Sequence, residues 1–95
     1  MRLIFDFNED KVVADGLTAD ELLAPMRAYG KEHGIRETSY GVFEREGREA
    51  MAIVLKFVVR YSTKNPWYLD YLEHWTFNID GRIEDCKEET LRPLI

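Results

Sequence analysis

The chain has 95 residues, 45% of them apolar and 33% charged, a composition too hydrophobic for intrinsic disorder and sized for one domain, residues 1–95, around one core. Thirteen Lys plus Arg against eighteen Asp plus Glu leave a net charge of -5, which repels a phosphate backbone and argues against duplex nucleic acid as a partner. The longest apolar run, residues 51–55, falls far short of the roughly 20 residues that span a bilayer. No signal peptide opens the chain, and the lone Cys86 has no partner for an internal disulfide, so a soluble cytoplasmic protein with no membrane contact is expected.

Leu3, Phe5 and Phe7 alternate with Arg2, Ile4 and Asp6, which predicts a strand with one buried face. Polar Asn8-Glu9-Asp10 followed by Lys11-Val12-Val13 reads as a short return strand before a loop at Asp15-Gly16. Thr18-Ala19-Asp20-Glu21 has the form of a capping box, and Leu22, Leu23, Met26 and Tyr29 follow at helical spacing, so a helix is expected to near residue 33, with Gly34 as its left-handed stop. Pro25 predicts a kink there, or a short first turn ahead of the main helix.

Period two returns through Tyr40, Val42 and Glu44 and breaks at Arg45-Glu46-Gly47-Arg48, a hairpin signal. With Glu46 and Gly47 in the loop, Val42 faces Met51 and Tyr40 faces Ile53. The strand that follows is expected at the centre of the sheet. It carries Met51, Ile53, Leu55, Phe57, Val59 and Tyr61 on one face and Ala52, Val54, Lys56, Val58 and Arg60 on the other. Asn65-Pro66 marks a loop, and a strand resumes near Asp70 with Trp75, Phe77 and Ile79 inward. Asp80-Gly81 then turns the chain into a charged edge strand over residues 82–88, and the apolar end of the tail Thr90-Leu91-Arg92-Pro93-Leu94-Ile95 is free to dock on the domain or on a partner.

These elements amount to an α+β fold in which one main helix packs on a twisted, mostly antiparallel sheet of about five strands, ordered β-α-β-β-β-β, with the short N-terminal hairpin strand as an addition. In element order alone, with no shared motif, the layout is similar to cystatin-like and nuclear-transport-factor-like cones.

Two groups of residues are candidates for function. On the sheet face away from the helix, Val54, Val58 and Leu72 sit among Lys56 and Arg60, an apolar patch with a basic border of the kind that marks an interface. Tyr61, Tyr68, Tyr71, His74 and Trp75 are the alternative, aromatic walls and an imidazole for a small-molecule pocket. Catalysis by His74 is poorly supported, because Asp70 on its face lies about 13 Å along the strand and Glu73 points away. Cys86 is flanked by acids and lacks an activating base, and His33, His74 and Cys86 show no metal-ligand spacing, so neither metal nor cofactor is expected. Lys56, Arg60 and Lys64 interleave with Phe57 and Tyr61, but on a strand the cations and the rings point to opposite faces, which spoils a single-stranded nucleic-acid platform. The reading is therefore a noncatalytic interaction domain that forms a homodimer or docks on a protein partner through its open sheet face, with an enzymatic or ligand-binding cone as the alternative.

Overall fold

The computed structural model describes residues 1–79 and 81–86. It is an α+β fold: β1 (Arg2–Phe7), α1 (Glu9–Ala14), α2 (Ala19–His33), β2 (Arg36–Ser39), β3 (Val42–Glu44), α3 (Ala50–Lys64), a 3₁₀ turn (Pro66–Tyr71), β4 (Leu72–Ile79) and β5 (Arg82–Asp85). The five strands form one antiparallel sheet in the order β2-β3-β1-β4-β5, with the N-terminal strand at its centre. Leu3, Phe5 and Phe7 of β1, Phe43 of β3, and Trp75 and Phe77 of β4 meet Leu22, Leu23 and Met26 of α2 and Val54, Phe57 and Val58 of α3 in one core. The alternate residues Arg2, Ile4, Asp6 and His74 lie on the other face, where no described helix covers them.

The first strand, the main helix and the last hairpin follow the sequence reading. The Thr18 hydroxyl accepts a hydrogen bond from the Glu21 amide at 3.2 Å, and Gly34, at φ 73°, closes α2. Pro25 neither divides α2 nor starts it: the helix runs unbroken from Ala19, and the missing proline N–H costs it one internal bond. Ile79 pairs with Arg82 across a two-residue turn, of which Asp80 is outside the described residues. β5 is exposed at every position and forms one edge of the sheet, as its charge implied. The expected extension of this strand over residues 87–88 and the tail from Thr90 also lie outside the described residues.

Two segments fold otherwise. The expected return strand at Lys11-Val12-Val13 is the helix α1: Asn8 accepts from the Lys11 amide at 3.2 Å, and Glu9 and Asp10 occupy the first turn, where negative charge complements the helix dipole. The expected central strand over residues 51–61 is α3. Ala50, Val54, Phe57, Val58 and Ser62 are buried, a spacing of four, three, one and four that belongs to a helix. Val42 therefore does not face Met51, nor Tyr40 Ile53. Val42 pairs instead with Ser39 of β2 and Ile4 of β1, around a turn at Tyr40-Gly41. Gly41 takes φ 74° there, and a Cβ on it would lie 3.1 Å from the Phe5 carbonyl oxygen. With α3 between β3 and β4, the layout of one helix followed by a long meander is absent, and so is the likeness to the cones.

Candidate functional site

Folding residues 50–64 as a helix rearranges every candidate. Val54 and Val58 turn inward and are essentially fully buried, so they cannot form a patch on the outer sheet face. Leu72 joins them for a separate reason. Asp6 pairs with His74 and the next residue, Phe7, with Leu72, so Glu73 is an extra residue in β4 and its bulge resets the alternation. Leu72 consequently faces the core and His74 the outer surface. Of the five patch residues, Lys56 and Arg60 alone are exposed.

The aromatic group is likewise divided. Tyr68 and Trp75 are core residues, with 1% and 0% of their surface exposed, so they cannot line an open pocket. The Tyr68 hydroxyl donates to the Leu22 carbonyl at 2.5 Å, and burial pushes its pKa well above the ordinary phenol value. The Trp75 indole N–H has no acceptor among the described residues. Tyr71 lies at the far side, donating to Asp15 at 2.7 Å, with the Lys11 ammonium 5.4 Å from its ring centre. His74 stands on the outer face opposite Asp6. Tyr61 borders a cleft.

That cleft, about 250 Å³, lies where α3 runs past α2 and is lined by Tyr29, Lys56, Phe57, Arg60, Tyr61 and Lys64. Its floor is a run of rings. Tyr29 is 5.1 Å from Phe57, and Phe57 and Tyr61 stack with centroids 5.2 Å apart and planes 9° from parallel. Tyr61 meets Tyr68 edge-on at 4.9 Å, which ties the run to the core. The Tyr29 hydroxyl donates to the Ile53 carbonyl at 2.6 Å, fixing one ring against α3, while His33 lies against the same ring at 4.2 Å. Partial burial raises the pKa of Tyr29 and of Tyr61, so both phenols stay neutral near pH 7. Lys56, Arg60 and Lys64 recur every four residues along α3 and form no ion pair among the described residues.

A second cleft, about 640 Å³, has the opposite chemistry. Asp6, Asn8, Glu9, Asp10 and Glu73 surround it, with Phe5, Phe7, Ala19 and Tyr40 as its apolar wall. The bulge in β4 delivers Glu73 to this rim. Asn8 is also the N-cap of α1 and Glu9 and Asp10 fill its first turn, a structural employment that accounts for their position. Among the described residues, no group of three His, Cys, Asp or Glu side chains is placed to hold a metal ion. A third, smaller cleft of about 110 Å³ lies between α3 and the β4–β5 edge, lined by Met51, Leu55, Phe77, Ile79, Arg82 and Glu84.

Read as a strand, the segment puts Lys56, Arg60 and Lys64 on the face opposite Phe57 and Tyr61, with Tyr29 on the core side of the helix. The four-residue recurrence of the cations was the signal that could have united them, since that spacing aligns side chains on one side of a helix. Among the described residues, no helix is long and apolar enough to cross a membrane. Comparison of the chain with family models, curated proteins and solved structures finds no match in any of the three.

Proposed function

We propose that the chain is a small noncatalytic interaction domain and that a protein partner docks on the outward side of α3. The observation that carries this reading is a segregation of charge. All eighteen carboxylates lie outside residues 50–69, which contain Lys56, Arg60 and Lys64 and expose Met51 and Val59 beside them. Met51, Leu55 and Val59 recur at i, i+4 and i+8, so they form an apolar stripe along the helix with the cations on its flank. Large apolar side chains on an exposed helix cost nothing if a partner covers them, and the cations then select an acidic partner and steer its approach. The cleft at Met51, Leu55, Phe77 and Ile79 adds room for a side chain of that partner. The outer sheet face is a weaker platform, since Arg2, Asp6, His74 and Asp85 break up its apolar area.

The partner's chemistry is thus an amphipathic segment with carboxylates beside leucine-sized side chains, the helix-in-groove mode of recognition. A labelled peptide with Glu and Leu at helical spacing tests it by fluorescence anisotropy. The wild-type protein binds it, and Val59→Glu weakens binding at least tenfold while leaving the circular dichroism unchanged. A peptide that fails to bind at millimolar concentration, or that binds Val59→Glu equally well, refutes the proposal. Self-association through the same side would appear in sedimentation as a dimer that Val59→Glu dissociates.

A further inference from the structure

Lys56, Arg60 and Lys64 share their cleft with Phe57 and Tyr61, which is the arrangement that a strand at residues 51–61 would have forbidden. A platform for single-stranded nucleic acid needs aromatic rings and positive charge on the same surface. On a helix, Phe57 and Tyr61 are one turn apart, and Arg60 and Lys64 are one turn apart beside them. We infer that the α2–α3 cleft is a binding site for a nucleotide unit, a base with its phosphate, either free or within a single strand. The site shares the cations with the docking proposal but uses the flank of α3 that faces α2, with the rings of Tyr29 and Tyr61, and none of the stripe formed by Met51, Leu55 and Val59.

The geometry suits that ligand better than other anions. A volume of about 250 Å³ accepts one planar ring rather than a long acyl chain, and the cleft is open, so a strand can pass through it without threading. Tyr29 and Tyr61 are half-buried, each held by a fixed contact, so their rings are presented without reordering. The three cations form a row about 12 Å long, from the 1.5 Å rise of a helix, which is enough to meet more than one phosphate. None is neutralised by a carboxylate among the described residues, and no acid occurs between residues 50 and 69. The overall charge of -5 weakens long-range attraction, but all the carboxylates lie outside residues 50–69, and the cations act within a Debye length of the bound phosphate.

Two probes distinguish the sources of the ligand: AMP, followed by chemical-shift changes, and a labelled ten-residue oligothymidine, followed by anisotropy at about 20 mM salt. Perturbation of the Tyr29 and Tyr61 resonances by both probes shows a free-nucleotide site, and binding of the oligonucleotide alone shows a single-strand site. For the oligonucleotide, log affinity should fall against log salt with a slope near -2, from about 0.7 per neutralised phosphate and three cations. Lys64→Ala and Arg60→Ala should each flatten that slope by about 0.7, whereas Arg36→Ala on β2 leaves it unchanged. Tyr61→Ala should weaken binding about 5- to 100-fold and Tyr61→Phe should restore it, which separates stacking from the hydroxyl. Val59→Glu, which tests docking, leaves nucleotide binding within about threefold, so the two ideas fail separately. The inference is overturned if neither probe binds at millimolar concentration, or if binding survives Arg60→Ala and Tyr61→Ala in full.

Discussion

Two clefts border the same core and carry opposite charge, and the groups on their rims are committed to different degrees. At the acidic cleft, Asn8 caps α1, Glu9 and Asp10 fill the first turn of that helix, and the Tyr40 hydroxyl is bonded to Asp20 at 3.0 Å. Asn8, Glu9, Asp10 and Tyr40 thus serve the fold, whereas Asp6 and Glu73 on the same rim form no ion pair among the described residues. At the basic cleft, Lys56, Arg60 and Lys64 have no ion-pair partner among the described residues, although four ion pairs occur elsewhere. The cations of α3 are the better guide to an external ligand, because the helix dipole already accounts for Glu9 and Asp10 of the acidic cleft, whereas no ion pair among the described residues accounts for the cations. Cleft size alone gives the wrong order, since the acidic cleft is the larger by more than twofold.

The comparison is tested most severely by removing one aromatic wall from each cleft. Phe5 and Phe57 are both buried, Phe5 behind the acidic cleft and Phe57 behind the basic one. Phe5→Ala and Phe57→Ala should each cost about 3–5 kcal/mol in urea denaturation, through lost transfer energy and a residual cavity. Binding of the oligonucleotide should be lost in Phe57→Ala and kept in the folded fraction of Phe5→Ala. A cost below about 1 kcal/mol for Phe57→Ala would show that the ring run is not anchored to the core.

Tyr68 links the two regions, with its ring edge-on to Phe7 of the acidic wall at 6.3 Å and to Tyr61 of the basic wall at 4.9 Å. Tyr68→Phe keeps both ring contacts and deletes the bond to the Leu22 carbonyl, so it should cost roughly 0.5–1.5 kcal/mol and leave binding unaltered. A loss of binding in this variant would mean that the two clefts are coupled through the core.

The parts that were legible in the sequence are those with a local signature. Thr18 with Glu21 announced the start of α2, Gly34 its end, and Leu3, Phe5 and Phe7 the face of β1. α3 had no such signature. Glu49 precedes it in helical conformation and makes no side-chain cap bond, and its β-branched Ile53, Val54, Val58 and Val59 favour strands on propensity. Being apolar at nearly every position, the segment fits period two and period 3.6 equally, and only its fifteen-residue length and the spacing of Lys56, Arg60 and Lys64 separate the two. Because the face of each candidate residue depends on that period, a period of two puts Val54 and Val58 outside and Phe57 and Tyr61 on the face away from the cations, whereas the helix does the reverse. The bulge at Glu73 is a product of pairing between β1 and β4 and has no local signal at all.

The smallest expected effect is at the ion-pair network of Arg27, which joins α2 to β2 and holds Asp20, the acceptor of the Tyr40 hydroxyl on the rim of the acidic cleft. Arg27 of α2 bonds both oxygens of Glu37 on β2, at 2.7 and 3.2 Å, and reaches Asp20 at 3.0 Å, while the Gly41 amide donates to Glu37 at 2.9 Å. The Arg27 guanidinium holds the pKa of Glu37 below its ordinary 4.5 and that of Asp20 below its ordinary 3.8. A carboxyl whose folded pKa is depressed stabilises the fold above its unfolded pKa and ceases to do so as pH falls through the folded value. This contribution is therefore complete at pH 7 and disappears in acid, starting below about pH 4.5. Glu37→Gln removes the charge and keeps one acceptor, the amide oxygen at the Oε2 position for Gly41 and Arg27 Nη2, while the NH2 group gives up the bond from Arg27 Nε. Since Arg27 is partly exposed, screening limits the loss at pH 7 to about 1 kcal/mol or less. Urea titrations at pH 7 and pH 3 should show the wild type and the variant converging at the lower pH. A gap that persists at pH 3 would assign the cost to packing or hydrogen-bond geometry rather than to the charge of Glu37.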